Sequence, residues 1–329
     1  MLFTMEFCSF TYMKKTLGIY ISNYNILGGV ETFVANFCKR MSKHYKITLI
    51  FDWVESNDLL FEISDYVDVV KIDKSKQYQF DYFVNSTAWG FSPYDNINAD
   101  KVIQVVHADY RHVISNWNFK YLKHEKTTHH VCVGEIVKEA FEEATPYKCD
   151  AVIYNLLDNT IKHEPKQNNN ILTLVTCSRL SGEKGFKRML QLSQQLDSKK
   201  IPYIWNVYGN IKHNFAKQVV SWFKNCPNVI FKGVTREPFK EINKADYLVQ
   251  LSDTEGFAYS VYEAMQVKTP CIITPFASGK EQIKNGVNGY IVPFEMNYID
   301  FETILKRELI VPEFEELGKE SDWIKLLEA

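Results

Sequence analysis

The sequence predicts an α/β protein with two doubly wound parallel sheets, one in each half of the chain, facing each other across a cleft. Three observations predict it. Short β-branched or aromatic runs recur along the chain, apolar almost without interruption, as in strands buried on both faces. Helical stretches separate these runs, and strand, helix, strand in regular order implies parallel sheets with right-handed crossovers. A polar segment, DNTIKHEPKQNNN at 158–170, divides the chain near its middle.

In the first half the strand-like runs are 16–22, 46–51, 68–72, 80–85, 101–107, 129–134 and 151–155; in the second they are 171–178, 203–208, 228–232, 246–252, 270–274 and 289–292. Between the first two runs, Val30, Phe33, Val34, Phe37 and Met41 follow Gly28 and Gly29 at helical spacing and make one apolar face. Phe186, Met189, Leu190 and Leu196 make a second face, and Ile136, Ala140 and Phe141 a shorter third. The 158–170 segment offers little to bury and reads as a linker. The expected organisation is an extension at 1–12, a first domain at 13–158, a linker at 159–170, a second domain at 171–295 and a tail at 296–329. Helical runs at 301–309 and 323–327 of the tail flank Pro312. Basic residues Lys14 and Lys15 follow the apolar opening MLFTMEFCSFTY instead of preceding it, unlike a secretory signal, and Met13 is an alternative start.

Composition narrows the function. The 329 residues correspond to about two domains. With 46% hydrophobic and 24% charged residues the chain is ordinary globular material. A net charge of −2 argues against a dedicated nucleic-acid binder. No apolar run approaches the roughly 20 residues of a membrane span. Seven widely spaced cysteines without Cys-x-x-Cys suggest buried thiols in a reducing compartment, and neither they nor the histidines show zinc-ligand spacing, so no metal site is expected.

Ligands of doubly wound sheets bind beyond the carboxyl ends of the strands, so the post-strand loops are where chemistry is expected. The most informative is LSDTEGFAYSVYEAMQV at 251–267. Glu255 falls on a strand-to-helix turn, Gly256 and Ala258 leave room for close backbone approach, and a helix starting near Tyr259 turns its positive end to the cleft. Glu263 follows one turn further in, where a carboxylate accepts two hydrogen bonds from a vicinal diol. Alone, the two acids read equally as a helix cap and a solvated helix residue. Arg179 and Lys184, on one loop after the run at 171–178, add two cations suited to a polyanion. Tyr208–Gly209–Asn210 is another strand end, and Gly28–Gly29 opens a helix in the other half.

Together these segments resemble the family 4 glycosyltransferases. The match runs from Gly28–Gly29 through His107, Arg179–Lys184, Gly233, Glu255–Glu263 and KTPCIIT to EQIKNGVNGYIVP. The resemblance implies the GT-B fold, two Rossmann-like domains facing a cleft, with the acceptor on the first and the nucleotide sugar on the second. It implies retaining transfer of a hexose or acetamido-hexose to a glycan or lipid-linked acceptor in surface polysaccharide biosynthesis. The donor is a nucleotide sugar, a UDP-sugar favoured over a GDP- or ADP-sugar, with no metal and no other cofactor. It implies a cytoplasmic enzyme with room for a peripheral contact at the inner face of the membrane.

Residue by residue, Arg179 and Lys184 match the pair that neutralises the diphosphate, Glu263 the acid on the ribose hydroxyls, and Glu255 the acid near the donor-sugar hydroxyls. Backbone of Gly256, Phe257, Ala258, Tyr259 and Ser260 matches the sugar and phosphate contacts. Gly209, Asn210 and Val234 match the base site, Gly28 and Gly29 the loop near the diphosphate and acceptor, and His107 the histidine that approaches the donor sugar. This chain has Ala258 where the family often has Gly, and FASGKE, with only Gly279, replaces a glycine-rich loop. Neither change removes a charged group the reaction needs. Two alternatives share the fold: a catalytically silent partner subunit and a nucleotide-sugar epimerase.

Two features stay open at this level. Trp89, Phe91, Tyr110, Trp117 and Tyr121 suit either stacking on an acceptor or packing in the core. Lys39, Arg40, Lys43, His44 and Lys46 at the end of the first helix suit either a solvated face or a membrane dock.

Overall fold

The computed structural model describes residues 14–24, 28–54, 57–87, 94–117, 121, 123–158, 160–165, 171–307, 309 and 311–329. The 1–12 extension, Trp89, Phe91, the side chain of Trp117 and the last five linker residues, 166–170, lie outside the described residues.

Among the described residues the first sheet has strands Thr16–Tyr24 (β1), Lys46–Val54 (β2), Asp68–Lys71 (β3), Tyr78–Asn85 (β4), Ile97–Val106 (β5), His129–Cys132 (β6) and Ala151–Val152 (β7). The second has Leu172–Cys177 (β8), Tyr203–Tyr208 (β9), Val229–Gly233 (β10), Tyr247–Gln250 (β11), Cys271–Ile273 (β12) and Gly289–Ile291 (β13). Helices Gly29–Met41 (α1), Asn57–Ser64 (α2), Tyr110–Trp117 (α3) and Glu135–Ala144 (α4) belong to the first half. Phe186–Ser198 (α5), Asn214–Trp222 (α6), Pro238–Lys244 (α7), Tyr259–Gln266 (α8), Gly279–Gln282 (α9), Phe301–Lys306 (α10) and Glu320–Glu328 (α11) follow.

The sheet orders are β3-β2-β1-β4-β5-β6-β7 and β10-β9-β8-β11-β12-β13, and every pairing is parallel. Each order reverses direction once, at β1/β4 and at β8/β11. Loops leaving those strands diverge and open a crevice at the carboxyl edge. Apolar runs became strands because both faces of these sheets are covered. On the first sheet Leu17 and Leu49 pack under the helices on one side, while Tyr20, Ile50, Phe80 and Phe83 form a separate cluster on the other.

The tail returns to the first domain. Trp323 of α11 is fully buried against Phe33 and Phe37 of α1, its ring 4.9 Å from Phe37 and nearly perpendicular to it. Arg40, itself buried, donates to Glu316 (2.8 Å), to Glu320 and to the Leu157 carbonyl. His44 and Lys43 also face Glu320, and Lys39 pairs with Asp158 at 2.5 Å. Most of the α1 basic cluster is therefore engaged with the chain's own acids; Lys46 lies across from Asp68 at 3.9 Å.

One sequence expectation changes and one open feature is resolved. Part of the linker is ordered by hydrogen bonds and by Ile161, which packs against the second-domain core. Gln266 donates to the Asp158 carbonyl (2.8 Å), and His163 Nδ1 donates to the Val267 carbonyl (2.8 Å) beside Asn243. Tyr110 and Tyr121 are core residues, 2% and 5% exposed, set edge-on to Phe141. They are unavailable for stacking on an acceptor, because α3 folds back over α4 and its apolar face must be buried.

Candidate active site

The carboxyl edges of the two sheets face each other across a cleft of about 500 Å³. His107, Arg179, Lys184, Glu255, Gly256, Phe257, Ala258, Tyr259, Ser260 and Glu263 all line it, as do Gly28 and Gly29. Gly209, Asn210 and Val234 do not line it, although their neighbours Tyr208 and Thr235 do. Gly209 is pressed against the Ser178 carbonyl, Asn210 closes its own turn by accepting from the Lys212 N–H, and Val234 is 43% exposed.

Lys184 and Glu255 form the centre of the second-domain wall. Lys184 ends a short 3₁₀ turn, Gly182–Lys184, and Gly185 follows at φ +71°, a left-handed conformation suited to glycine. Lys184 Nζ donates to both carboxylate oxygens of Glu255, at 2.8 and 2.9 Å, and the two side chains are only 13% and 11% exposed. Ser252 and Gln250 also donate to Glu255, at 2.6 and 2.8 Å. The loop beneath is tied at several points. Ser278 Oγ donates to the Glu255 carbonyl, Thr274 Oγ1 to the Ser252 carbonyl and Arg188 Nε to the Leu251 carbonyl. This is a preorganised charge pair on a rigid turn. Arg179 differs. It is 60% exposed and 3.7 Å from Glu183, so it is free to move toward a ligand.

The helix that follows, α8, has Ala258 at its N-cap and no side-chain cap. The Ala258 N–H is taken by Gln282 Oε1 at 3.3 Å, and the rest of the first turn brings the positive end of the helix dipole to the cleft wall. Glu263 sits in the second turn of α8, and burial pushes its carboxyl up to about 8. At neutral pH it is mostly protonated until a ligand supplies hydrogen-bond donors.

Across the cleft, His107 follows β5. Burial pushes its imidazole down to about 3, so it is neutral at physiological pH. Its ring meets Phe33 edge-on at 4.8 Å, and its Nε2 has no hydrogen-bond partner among the described residues.

The lobes touch directly. Sequence reasoning gave Gly256 to a ligand; in the structure the other domain packs against it. A Cβ on Gly256 would lie 1.8 Å from the His107 carbonyl oxygen. Tyr259 OH donates to the Leu156 carbonyl at 3.3 Å. Glu281 of the second domain crosses to cap α4 of the first, accepting from the N–H groups of Glu135 (3.0 Å) and Ile136 (2.9 Å) and from Tyr154 OH (2.7 Å). This contact, like the Gln250 and Ser252 bonds to Glu255, escaped the sequence reading. A glutamine closing the apolar run YLVQ was the available signal. Among the described residues no group of three or more His, Cys, Asp or Glu is placed to hold a metal ion.

Two Rossmann-like parallel sheets with strand ends opposed across a cleft define the GT-B architecture. Residues 158–314 match the family model of Glycosyl transferases group 1. Solved structures share the fold. HepE (Alr3699) of Anabaena, in complex with UDP and glucose, superposes with a TM-score of 0.67 at 14% identity, over 85% of this chain and 86% of that one. A glycosyltransferase of Rickettsia africae gives 0.62 at 17%, over 86% and 85%. The lipopolysaccharide outer core galactosyltransferase WaaB gives 0.59 at 17%, over 91% and 92%. No curated protein matches by sequence. Among the described residues no helix is long and apolar enough to cross a membrane.

Proposed function

We propose that the protein is a retaining, metal-independent glycosyltransferase of the family 4 kind. It moves a hexose or acetamido-hexose from a nucleotide sugar, a UDP-sugar first, to a glycan or lipid-linked acceptor of a surface polysaccharide. The observation that carries this reading is the convergence of Lys184, Arg179 and the N-terminus of α8 on one wall, with Glu255 and Glu263 beside them. Two cations and a helix N-terminus suit a diphosphate, and two acids suit the hydroxyls on either side of it. The family match over 158–314 and the UDP and glucose named for the HepE complex support the same assignment.

In this reading 171–295 holds the donor and 13–158 presents the acceptor. Departure of the nucleoside diphosphate builds negative charge, which Lys184, Arg179 and the α8 amides stabilise. Glu263 takes the ribose hydroxyls. Glu255, fixed by Lys184, Gln250 and Ser252, orients the donor sugar. Neutral His107 faces that sugar from the first domain. The acceptor hydroxyl attacks the face that the diphosphate leaves and gives its proton to the departing diphosphate oxygen, with no covalent enzyme intermediate. Contact between the lobes at Gly256 and Glu281 excludes water. The enzyme works in the cytoplasm, and any contact with the inner face of the membrane uses a surface other than the paired cations of α1.

The test is thermal stabilisation and slow hydrolysis across UDP-, GDP- and ADP-sugars. One donor class should raise the melting temperature as mass action requires and be hydrolysed. No response to any of them would sink the reading in favour of a silent partner subunit.

A further inference from the structure

Helix α9 is short, but with the serine just before it the turn holds both lobes. Toward its own domain, Gln282 donates to the Ala258 carbonyl (3.0 Å) and accepts from the Ala258 N–H (3.3 Å), and Ser278 Oγ donates to the Glu255 carbonyl (2.9 Å). Gln282 and Ser278 are both buried. A Cβ on Gly279 would stand 2.7 Å from Ile273 and 3.0 Å from Phe276, so the turn is pressed against the core beneath it and has no room to tilt by itself. Glu281, between these anchors, reaches into the first domain, where it accepts from the Glu135 and Ile136 N–H groups and from Tyr154 OH.

The receiving side is built for that carboxylate. α4 has no side-chain cap of its own; its N-cap is Gly134, where a Cβ would stand 3.2 Å from both Glu281 oxygens. A bare helix start with free N–H groups suits an acid brought from elsewhere. Tyr154 also meets the 255–258 loop directly, its ring 6.0 Å from that of Phe257. Bonds to an ionised acceptor are the strong kind. The Arg236–Glu62 pair at the rim differs: both side chains are more than half exposed, and such pairs contribute little. Glu281 does not line the cleft, so any effect it has on a ligand there is transmitted through its neighbours.

We propose that Glu281 is a positioning residue, a latch that ties α4 and Tyr154 of the first domain to the 255–258 loop and so couples occupancy of the nucleotide site to the seating of the opposite lobe. The inference rests on the reading of that loop as part of the nucleotide-sugar site, and it names how that site is regulated. A diphosphate that orders the loop holds Ser278 and Gln282, and with them Glu281, in the place that α4 requires. The coupling is reciprocal: the factor by which a nucleotide strengthens the latch is the factor by which the latch strengthens nucleotide binding.

The test uses the full chain with UDP, GDP and ADP as probes. Calorimetry gives affinity, NMR hydrogen exchange of the Glu135 and Ile136 amides reads the latch, and small-angle scattering reads the lobes. In the parent, the nucleotide that binds should slow exchange of both amides about tenfold. Glu281→Ala should speed that exchange, abolish its response to nucleotide, open the particle and weaken nucleotide binding by the same factor of about ten. Glu281→Gln keeps the volume and one acceptor oxygen; it should fall between, and it carries the test if the alanine variant misfolds. A cap with a structural role alone would lose amide protection in Glu281→Ala but leave nucleotide affinity within about twofold and the parent amides unresponsive to nucleotide, and that result overturns the coupling. Amide protection that survives in Glu281→Ala overturns the latch itself. Failure of all three nucleotides to bind the parent defeats the nucleotide-site reading and the coupling with it; an opened particle with unprotected amides in Glu281→Ala would then still support the latch between the lobes.

Discussion

Replacing Lys184 with methionine removes the cation from Glu255 while keeping most of the side-chain volume. The pair is nearly enclosed, with Nζ 2.8 and 2.9 Å from the carboxylate oxygens and side chains 13% and 11% exposed. Breaking such a pair from one side costs about 3–5 kcal/mol. Ser252 and Gln250 still donate to the carboxylate, which places the loss near the lower end. About 3 kcal/mol corresponds to a fall of roughly 4 °C in melting temperature for a protein of this size. Loss of the same ammonium from the leaving diphosphate should raise the barrier by about 3 kcal/mol, a fall of about 10²-fold in turnover. Differential scanning calorimetry of the free protein and initial rates at saturating donor read the two effects separately. A Lys184→Met, Glu255→Gln double variant should regain much of the stability and none of the turnover. A single variant that melts within about 1 °C of the parent and turns over within about threefold would refute the argument, since neither the pairing nor the charge stabilisation would then matter.

Other perturbations probe other parts of the cleft. Glu263, with its carboxyl pushed up to about 8, disfavours the charged form in the folded state. Its stability penalty is absent below the ordinary carboxylate range and grows as pH rises from there toward 8. If ribose hydroxyls favour the ionised form, UDP binding should release a proton below pH 8 and tighten as pH rises toward it. Calorimetry in buffers of different ionisation enthalpy would detect the proton, and Glu263→Gln should abolish it. Gly256→Ala places a Cβ 1.8 Å from the His107 carbonyl, a backbone clash relieved only by moving the lobes apart. Small-angle scattering should show a more open particle and assays a fall in turnover of at least about tenfold, and an unchanged profile with full activity would contradict closure through this contact. Trp323→Ala, deep between Phe33 and Phe37, should cost about 3–5 kcal/mol in denaturant unfolding. A loss below about 1 kcal/mol would mean that α11 contributes little to the first-domain core.

Much of the fold was legible because parallel strands buried on both faces carry their signature locally. The run 203–208 is β9 to the residue, and the stripe from Val30 to Met41 falls on α1. The short helices α2, α3 and α7 were less visible, since fewer than three turns give the period too few repeats to register. In the site, Arg179, Lys184 and Glu255 could be placed on post-strand loops, and Glu263 on the helix after one of them, because those loops are defined by the strands before them. The base-site residues Gly209, Asn210 and Val234 were assigned by resemblance; they do not line the cleft, Gly209 being pressed against the Ser178 carbonyl, Asn210 closing its own turn and Val234 standing exposed.

The sequence by itself determined two wound sheets, the order of their strands along the chain, and which loops carry charge. It did so because apolar period and loop position are properties of neighbouring residues. Only the tertiary structure decided who meets whom. Arg40 meets acids nearly three hundred positions away, α11 completes the core of the domain that begins the chain, Gly256 yields its space to His107, and Glu281 caps a helix of the opposite lobe. Burial that shifts His107 and Glu263 in opposite directions also arises there, because desolvation depends on what closes over a side chain and not on its place in the sequence.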